Sequence, residues 1–134
     1  MALLSANVIV CEAVLFEKTD VPTAVRIMTA IRLPSGRKSA HFFVVTFLNS
    51  QPGDFAKHVL KIQVLDKSGS FISQADDYPF VYGYKLDSSG PGGFTLTTEF
   101  NIDTTSMPSP AGWIIVALLD GQAVARIPLM LLRR

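Results

Sequence analysis

Apolar and polar positions alternate along most of this chain with a period of two, the signature of half-buried strands. Residues 6–17 read as a first strand, with a phase change near Cys11-Glu12 that predicts a bulge. Residues 23–33 read as a second, with Val25, Ile27, Thr29 and Ile31 on one face and Ala24, Arg26, Met28, Ala30 and Arg32 on the other. Residues 41–49 are apolar on both faces, Phe42, Val44 and Leu48 against Phe43, Val45 and Phe47, which predicts a central strand covered on both sides. Residues 55–65 carry two periods. Phe55, Val59 and Ile62 fit a helical stripe capped by Asp54, whereas Leu60, Ile62 and Val64 alternate as a strand. The strand is favoured because it runs into the turn Asp66-Lys67-Ser68-Gly69 and a further short run at 71–74.

Residues 80–86 form a short aromatic strand, and residues 94–102 alternate with Phe94, Leu96, Thr98, Phe100 and Ile102 inward. The last two runs, 112–119 and 122–131, flank Asp120-Gly121. That dipeptide is a strong hairpin signal, because a type I′ turn needs positive φ at both central residues. Pro128 predicts that the final strand is an edge or is bulged there. Eight or nine strands without βαβ alternation predict an all-β, antiparallel two-layer β-sandwich, immunoglobulin-like or C2-like, spanning residues 1–134 as one domain. Its core is expected to hold Val44, Ile62, Val64, Leu96, Phe100, Trp113, Ile115 and Leu119.

The chain also resembles a family of small uncharacterised bacterial β-sandwich proteins built on a domain of unknown function. The resemblance rests on Val10-Cys11-Glu12-Ala13-Val14, on Pro52-Gly53 before the strand that ends Leu65-Asp66-Lys67-Ser68-Gly69, and on the stretch from Asp120-Gly121 to Pro128. It implies a sandwich fold and carries no functional residues across.

Composition narrows the function classes. Charged residues make up 17% of the chain, against roughly 25% for a typical soluble domain, so apolar surface is left over for a partner. A formal net charge of +1 gives no basic excess for displacing counterions, which argues against nucleic acid. The single Cys11 forms no internal disulfide and reads as a small buried hydrophobe. With no basic leader and no apolar stretch of membrane-spanning length, a cytoplasmic setting is expected.

Candidate chemistry is sparse. Cys11, His41 and His58 are the residues from which a nucleophile–base pair would be drawn, and none sits in a recognisable motif. Asp76, Asp77 and Asp87 flank the aromatic strand and Asp54 and Asp66 flank another, but they lack the D-x-D spacing that would gather six to eight oxygens around calcium, and Asp66, Asp87 and Asp120 each stand beside turn Gly or Ser. The glycine-rich stretch 87–93 lacks the Lys-Ser/Thr pair of a phosphate loop. Tyr78, Phe80, Tyr82 and Tyr84 share a strand face and are a possible stacking platform for a ligand.

The expectation is a non-enzymatic protein without cofactor or metal, acting through protein–protein contact as an oligomer, accessory or structural subunit. A ligand-binding module for carbohydrate or lipid, or a C2-like calcium and membrane binder, is the alternative. The contact surface is expected at Ile127, Leu129, Met130 and Leu131, because residues 112–132 are apolar on both faces and one face needs a cover, such as a second copy in a homodimer.

Overall fold

The computed structural model describes residues 3–16, 22–83 and 92–133. These form ten strands and no helix: β1 (Leu3–Phe16), β2 (Pro22–Ile27), β3 (Ala30–Leu33), β4 (Ser39–Ser50), β5 (His58–Asp66), β6 (Phe71–Gln74), β7 (Tyr78–Phe80), β8 (Gly92–Asp103), β9 (Ala111–Leu119) and β10 (Gln122–Arg133). They build two sheets, β2-β1-β4-β8 and β3-β10-β9-β5-β6, with β7 continuing the edge on β5. The expected all-β two-layer sandwich is what the chain adopts. Strands β1, β4 and β8 against β10, β9 and β5 reproduce the A-B-E and G-F-C order of immunoglobulin domains. The pairs are antiparallel except β3 with β10, which is parallel.

Alternation places the core between the sheets. Ala40, Phe42, Val44 and Leu48 of β4 point one way, and Leu60, Ile62 and Val64 of β5 with Trp113, Ile115 and Ala117 of β9 point back at them, all nearly inaccessible to water. Phe42 stacks on Phe100 with ring centres 5.4 Å apart and leans on Trp113 at 6.2 Å. In antibody domains a disulfide joins the strands equivalent to β4 and β9. Here an aromatic contact, Phe42 to Trp113, spans that gap, and burial of large rings replaces the covalent tie.

Several elements differ from expectation. Residues 23–33 are two strands in different sheets. The break falls at Met28-Thr29, where the Met28 amide donates to Val10 of one sheet at 2.7 Å and the Thr29 carbonyl accepts from Met130 of the other at 3.0 Å. The uninterrupted alternation concealed this crossing: Ile31 and Leu33 enter the core, whereas Ile27 of the same parity is 64% exposed and Met28 packs on the core instead. Arg26 just before it takes a positive φ of 56°. The register shift in β1 lies between Leu3 and Ser5, not near Cys11-Glu12. The aromatic strand ends at Phe80 rather than running to 86. Segment 55–65 is a strand from His58 onward.

Strand β4 is central in its sheet, but among the described residues no second layer covers its outer face. Phe43 and Phe47 are half-buried there, and Val45 is shielded by its neighbours. Strand β10 is an edge only over its first part, since β3 pairs with it from Met130 onward. Pro128 falls in the uncovered part, where a missing amide hydrogen breaks no ladder.

Candidate functional site

The most concentrated polar chemistry lies at one end of the sandwich, where three chain segments converge. The β4–β5 loop turns at Gly53, whose φ is +91°, and brings Asp54 beneath the start of β5. Asp54 accepts the Ala56 amide at 3.1 Å and sits 2.8 Å from Nε2 of His58. On the other side of the ring, Nδ1 of His58 meets Asp120 at 2.7 Å. Asp120 occupies the β9–β10 turn with φ of 50°, followed by Gly121 at 84°, the paired positive values that a type I′ hairpin demands. Its backbone and side chain both grip Val59: the Asp120 amide donates to the Val59 carbonyl, and the Val59 amide donates to Asp120 Oδ1, each at 2.9 Å.

His58 and Asp54 are buried, with 9% and 2% of their surfaces exposed. The imidazole lies edge-on to Tyr82 with ring centres 5.2 Å apart and against Phe80 at 5.6 Å. Burial alone would depress the His58 pKa. The hydrogen bonds to Asp120 and to Asp54 outweigh it, so the pKa is raised. Burial pushes the Asp54 and Asp120 carboxyls up, and the bonds from His58 and from the Ala56 and Val59 amides bring both below their ordinary value. With both carboxylates ionised, each bond needs a donating ring nitrogen, so below the raised His58 pKa the array is carboxylate–imidazolium–carboxylate. In that state His58 has no lone pair to offer as a base. The carboxylates lie on opposite sides of the ring, and among the described residues no group of three or more His, Cys, Asp or Glu converges on one metal position. What the array does physically is pin the β4–β5 loop to the β9–β10 hairpin.

His58, a candidate base without a motif in the sequence, opens β5 with its side chain inward. The available signal was parity, since His58 shares its phase with Leu60, Ile62 and Val64. The partners Asp54 and Asp120 were read as turn residues, which they also are. His41 pairs with Glu99 across β4 and β8 on the exposed side, remote from this array. Cys11 is buried, which pushes its thiol pKa up. The other described aspartates stay dispersed. Asp66 and Asp103 are held below the usual carboxylate range, chiefly by hydroxyl bonds from Ser68 and Thr105, and Asp77 pairs with Lys61 at 3.0 Å. Asp87 lies outside the described residues.

The aromatic row is not an open platform. β7 pairs with β5 in the register His58↔Phe80 and Leu60↔Tyr78, which turns the row toward the core. Phe80 and Tyr82 are buried, Phe80 stacks on Phe94 with ring centres 4.0 Å apart, and only Tyr78 is exposed. Tyr84 lies outside the described residues.

The expected contact surface is also redrawn. Register pairs Leu129 with Trp113 and Leu131 with Ala111, so both leucines enter the core and are almost wholly buried. Ile127 is half-buried and packs on the same core. Of the four residues only Met130 faces outward, 42% exposed. The outer face it belongs to nevertheless carries one apolar row. Pro128, Ile114, Leu65 and Phe71 are successive partners across β10, β9, β5 and β6, a row of four without a polar side chain. Phe71 is 60% exposed.

No family model matches the chain, and no curated protein matches it. Among solved structures, part of a glycosyl hydrolase family 2 member from Bacteroides cellulosilyticus aligns with a TM-score of 0.50 and 14% identity, over 69% of this chain and 12% of that one. An alkylpurine DNA glycosylase from Pseudomonas fluorescens, bound to DNA containing an abasic-site analogue, aligns with a TM-score of 0.49 and 11% identity, over 96% of this chain and 30% of that one. An immunoglobulin-like protein from Pseudomonas aeruginosa aligns with a TM-score of 0.43 and 17% identity, over 96% and 98%. The chain thus spans a small part of the first two. At these identities the likeness concerns the fold alone. Among the described residues no helix is long and apolar enough to cross a membrane.

Proposed function

We propose that this protein is a non-enzymatic module that works by protein–protein contact, pairing with a second copy through the outer face of the β3-β10-β9-β5-β6 sheet. The observation that carries this is the row Pro128–Ile114–Leu65–Phe71, bordered by Met130. An outer sheet face in contact with water normally alternates to polar side chains. Here four adjacent strands fail to do so at the same level, while the next levels of the face return to polar partners, Arg126 and Gln63 beside Val116 and Lys61 beside Leu118. Two copies related by a two-fold axis would cover each other's row, and a specific dimer of this kind buries above about 1,000 Å² in total. The buried, unpaired Cys11 supports a reducing, cytoplasmic setting. Membership among the small bacterial sandwich proteins it resembles belongs to the same proposal.

The test is light scattering at micromolar concentration on the wild type and on Ile114→Lys and Phe71→Lys. A two-chain mass that falls to one chain in both variants, with the circular dichroism spectrum retained, is expected. A one-chain mass for the wild type overturns the proposal.

A further inference from the structure

We propose that the cleft at the opposite end of the sandwich, between the β5–β6 turn and the β8–β9 connection, binds a small molecule with an apolar chain and one anionic end, such as a medium-chain carboxylate. The cleft has a volume of about 350 Å³. At bulk water density that is room for roughly a dozen waters, or an aliphatic chain of about ten non-hydrogen atoms. Ile72, Met107, Pro108, Pro110 and Trp113 supply its apolar lining. Its polar members are Asp66, Lys67 and Ser68 of the turn.

Those three differ in what they have left to give. Asp66 Oδ1 accepts from the Ser68 amide and the Ser70 amide at 2.9 Å each and from the Ser68 hydroxyl at 2.6 Å. Asp66 Oδ1 is therefore committed to its own turn, and the Ser68 hydroxyl is committed with it. Lys67 makes no ion pair among the described residues, while its stem lies beside the Gly112 backbone at the cleft wall. The site offers one uncommitted cation and an otherwise apolar wall. A sugar would bring many hydroxyls, and a peptide many amides, to a surface with nothing to meet them, which costs free energy for each group left unpaired. A chain with a single anionic head leaves nothing unpaired.

Trp113 is the only tryptophan of the chain, is 2% exposed and lines this cleft, so its emission reports occupancy directly. The test titrates the full chain with sodium octanoate below its micelle-forming range, and in parallel with 1-octanol and octylamine. A saturable change in Trp113 emission with octanoate is expected, with octanol about threefold weaker because it lacks the charge that meets an exposed lysine, and octylamine weaker still. Lys67→Met is expected to bring octanoate to the level of octanol, and amide shifts in the wild type should move at residues 67–68 and 107–113. Absence of saturation, octylamine binding as well as octanoate, or an unchanged octanoate affinity in Lys67→Met each overturns the proposal.

Discussion

Asp120 and His58 are sixty-two residues apart, yet a 2.7 Å hydrogen bond joins them and locks the β9–β10 hairpin onto the first residue of β5. The same contact makes the loop end of the sandwich sensitive to protonation. Below its ordinary value of 6.5 His58 is charged in folded and unfolded chains alike, and the array contributes its full stability. Because the folded value is raised, that contribution is lost as pH climbs through it. Asp54 and Asp120 work in the other direction: their contribution is present above the ordinary value of 3.8 and is lost as pH falls through the lowered folded values. The melting temperature should be highest in the interval between, and fall on both sides, when followed by circular dichroism across a pH series.

Replacing His58 by Ala leaves the Asp54 carboxylate buried without its cation. Breaking a buried pair in this way costs about 3 kcal/mol, and urea unfolding should show a loss of unfolding free energy of that size. Asp54→Asn combined with His58→Ala should recover part of the loss, because a neutral amide replaces the stranded charge. A double variant no more stable than His58→Ala would remove the array from the account of stability.

The fold was legible wherever one face of a strand is uniformly apolar. In β8 all five inward residues, Phe94 to Ile102 by alternate positions, stand opposite the inner residues of β4 as expected. The β9–β10 hairpin was legible because Asp120-Gly121 has a turn type of its own. The crossing at Met28-Thr29 was not, since parity does not say which sheet an apolar side chain enters. The inward side of β10 was misread for a related reason. A strand apolar on both faces, as β10 is, does not announce which set is core, and only pairing with Trp113 decides it. The polar array joins Asp54 and His58, four residues apart, to Asp120 in a distant turn, so no local pattern encodes the whole of it.

Gly121 has a φ of 84° with open space where a Cβ would sit, so substitution there strains backbone alone. Gly121→Ala should lower stability by about 1 kcal/mol through the left-handed conformation. Thermal melts of the two proteins at pH 6 measure it.

Phe42 touches both Phe100 and Trp113 at the centre of the core. Phe42→Ala should cost about 3 to 5 kcal/mol by opening a cavity that these rings cannot close. Any water admitted beside Trp113 will shift its emission to longer wavelength, which separates a cavity from simple loss of contacts.

Cys11 is inaccessible, and burial raises its pKa. An Ellman-type reagent should fail to label it in the folded chain and label it once in denaturant. Rapid labelling under native conditions would mean that the β1–β2 pair opens readily.

Ala30 and Met130 lie one hundred residues apart in sequence and are neighbours in the β3–β10 ladder. On a ribosome, a chain growing from its N-terminus makes β3 early and holds it without its ladder partner until β10 has left the exit tunnel. The second sheet is therefore closed only once β10 has emerged, and loop closure over that span makes the step slow. A nascent chain stalled before β10 would present the apolar edges of β3 and β9 together. Removal of the last dozen residues should then abolish folding rather than trim it.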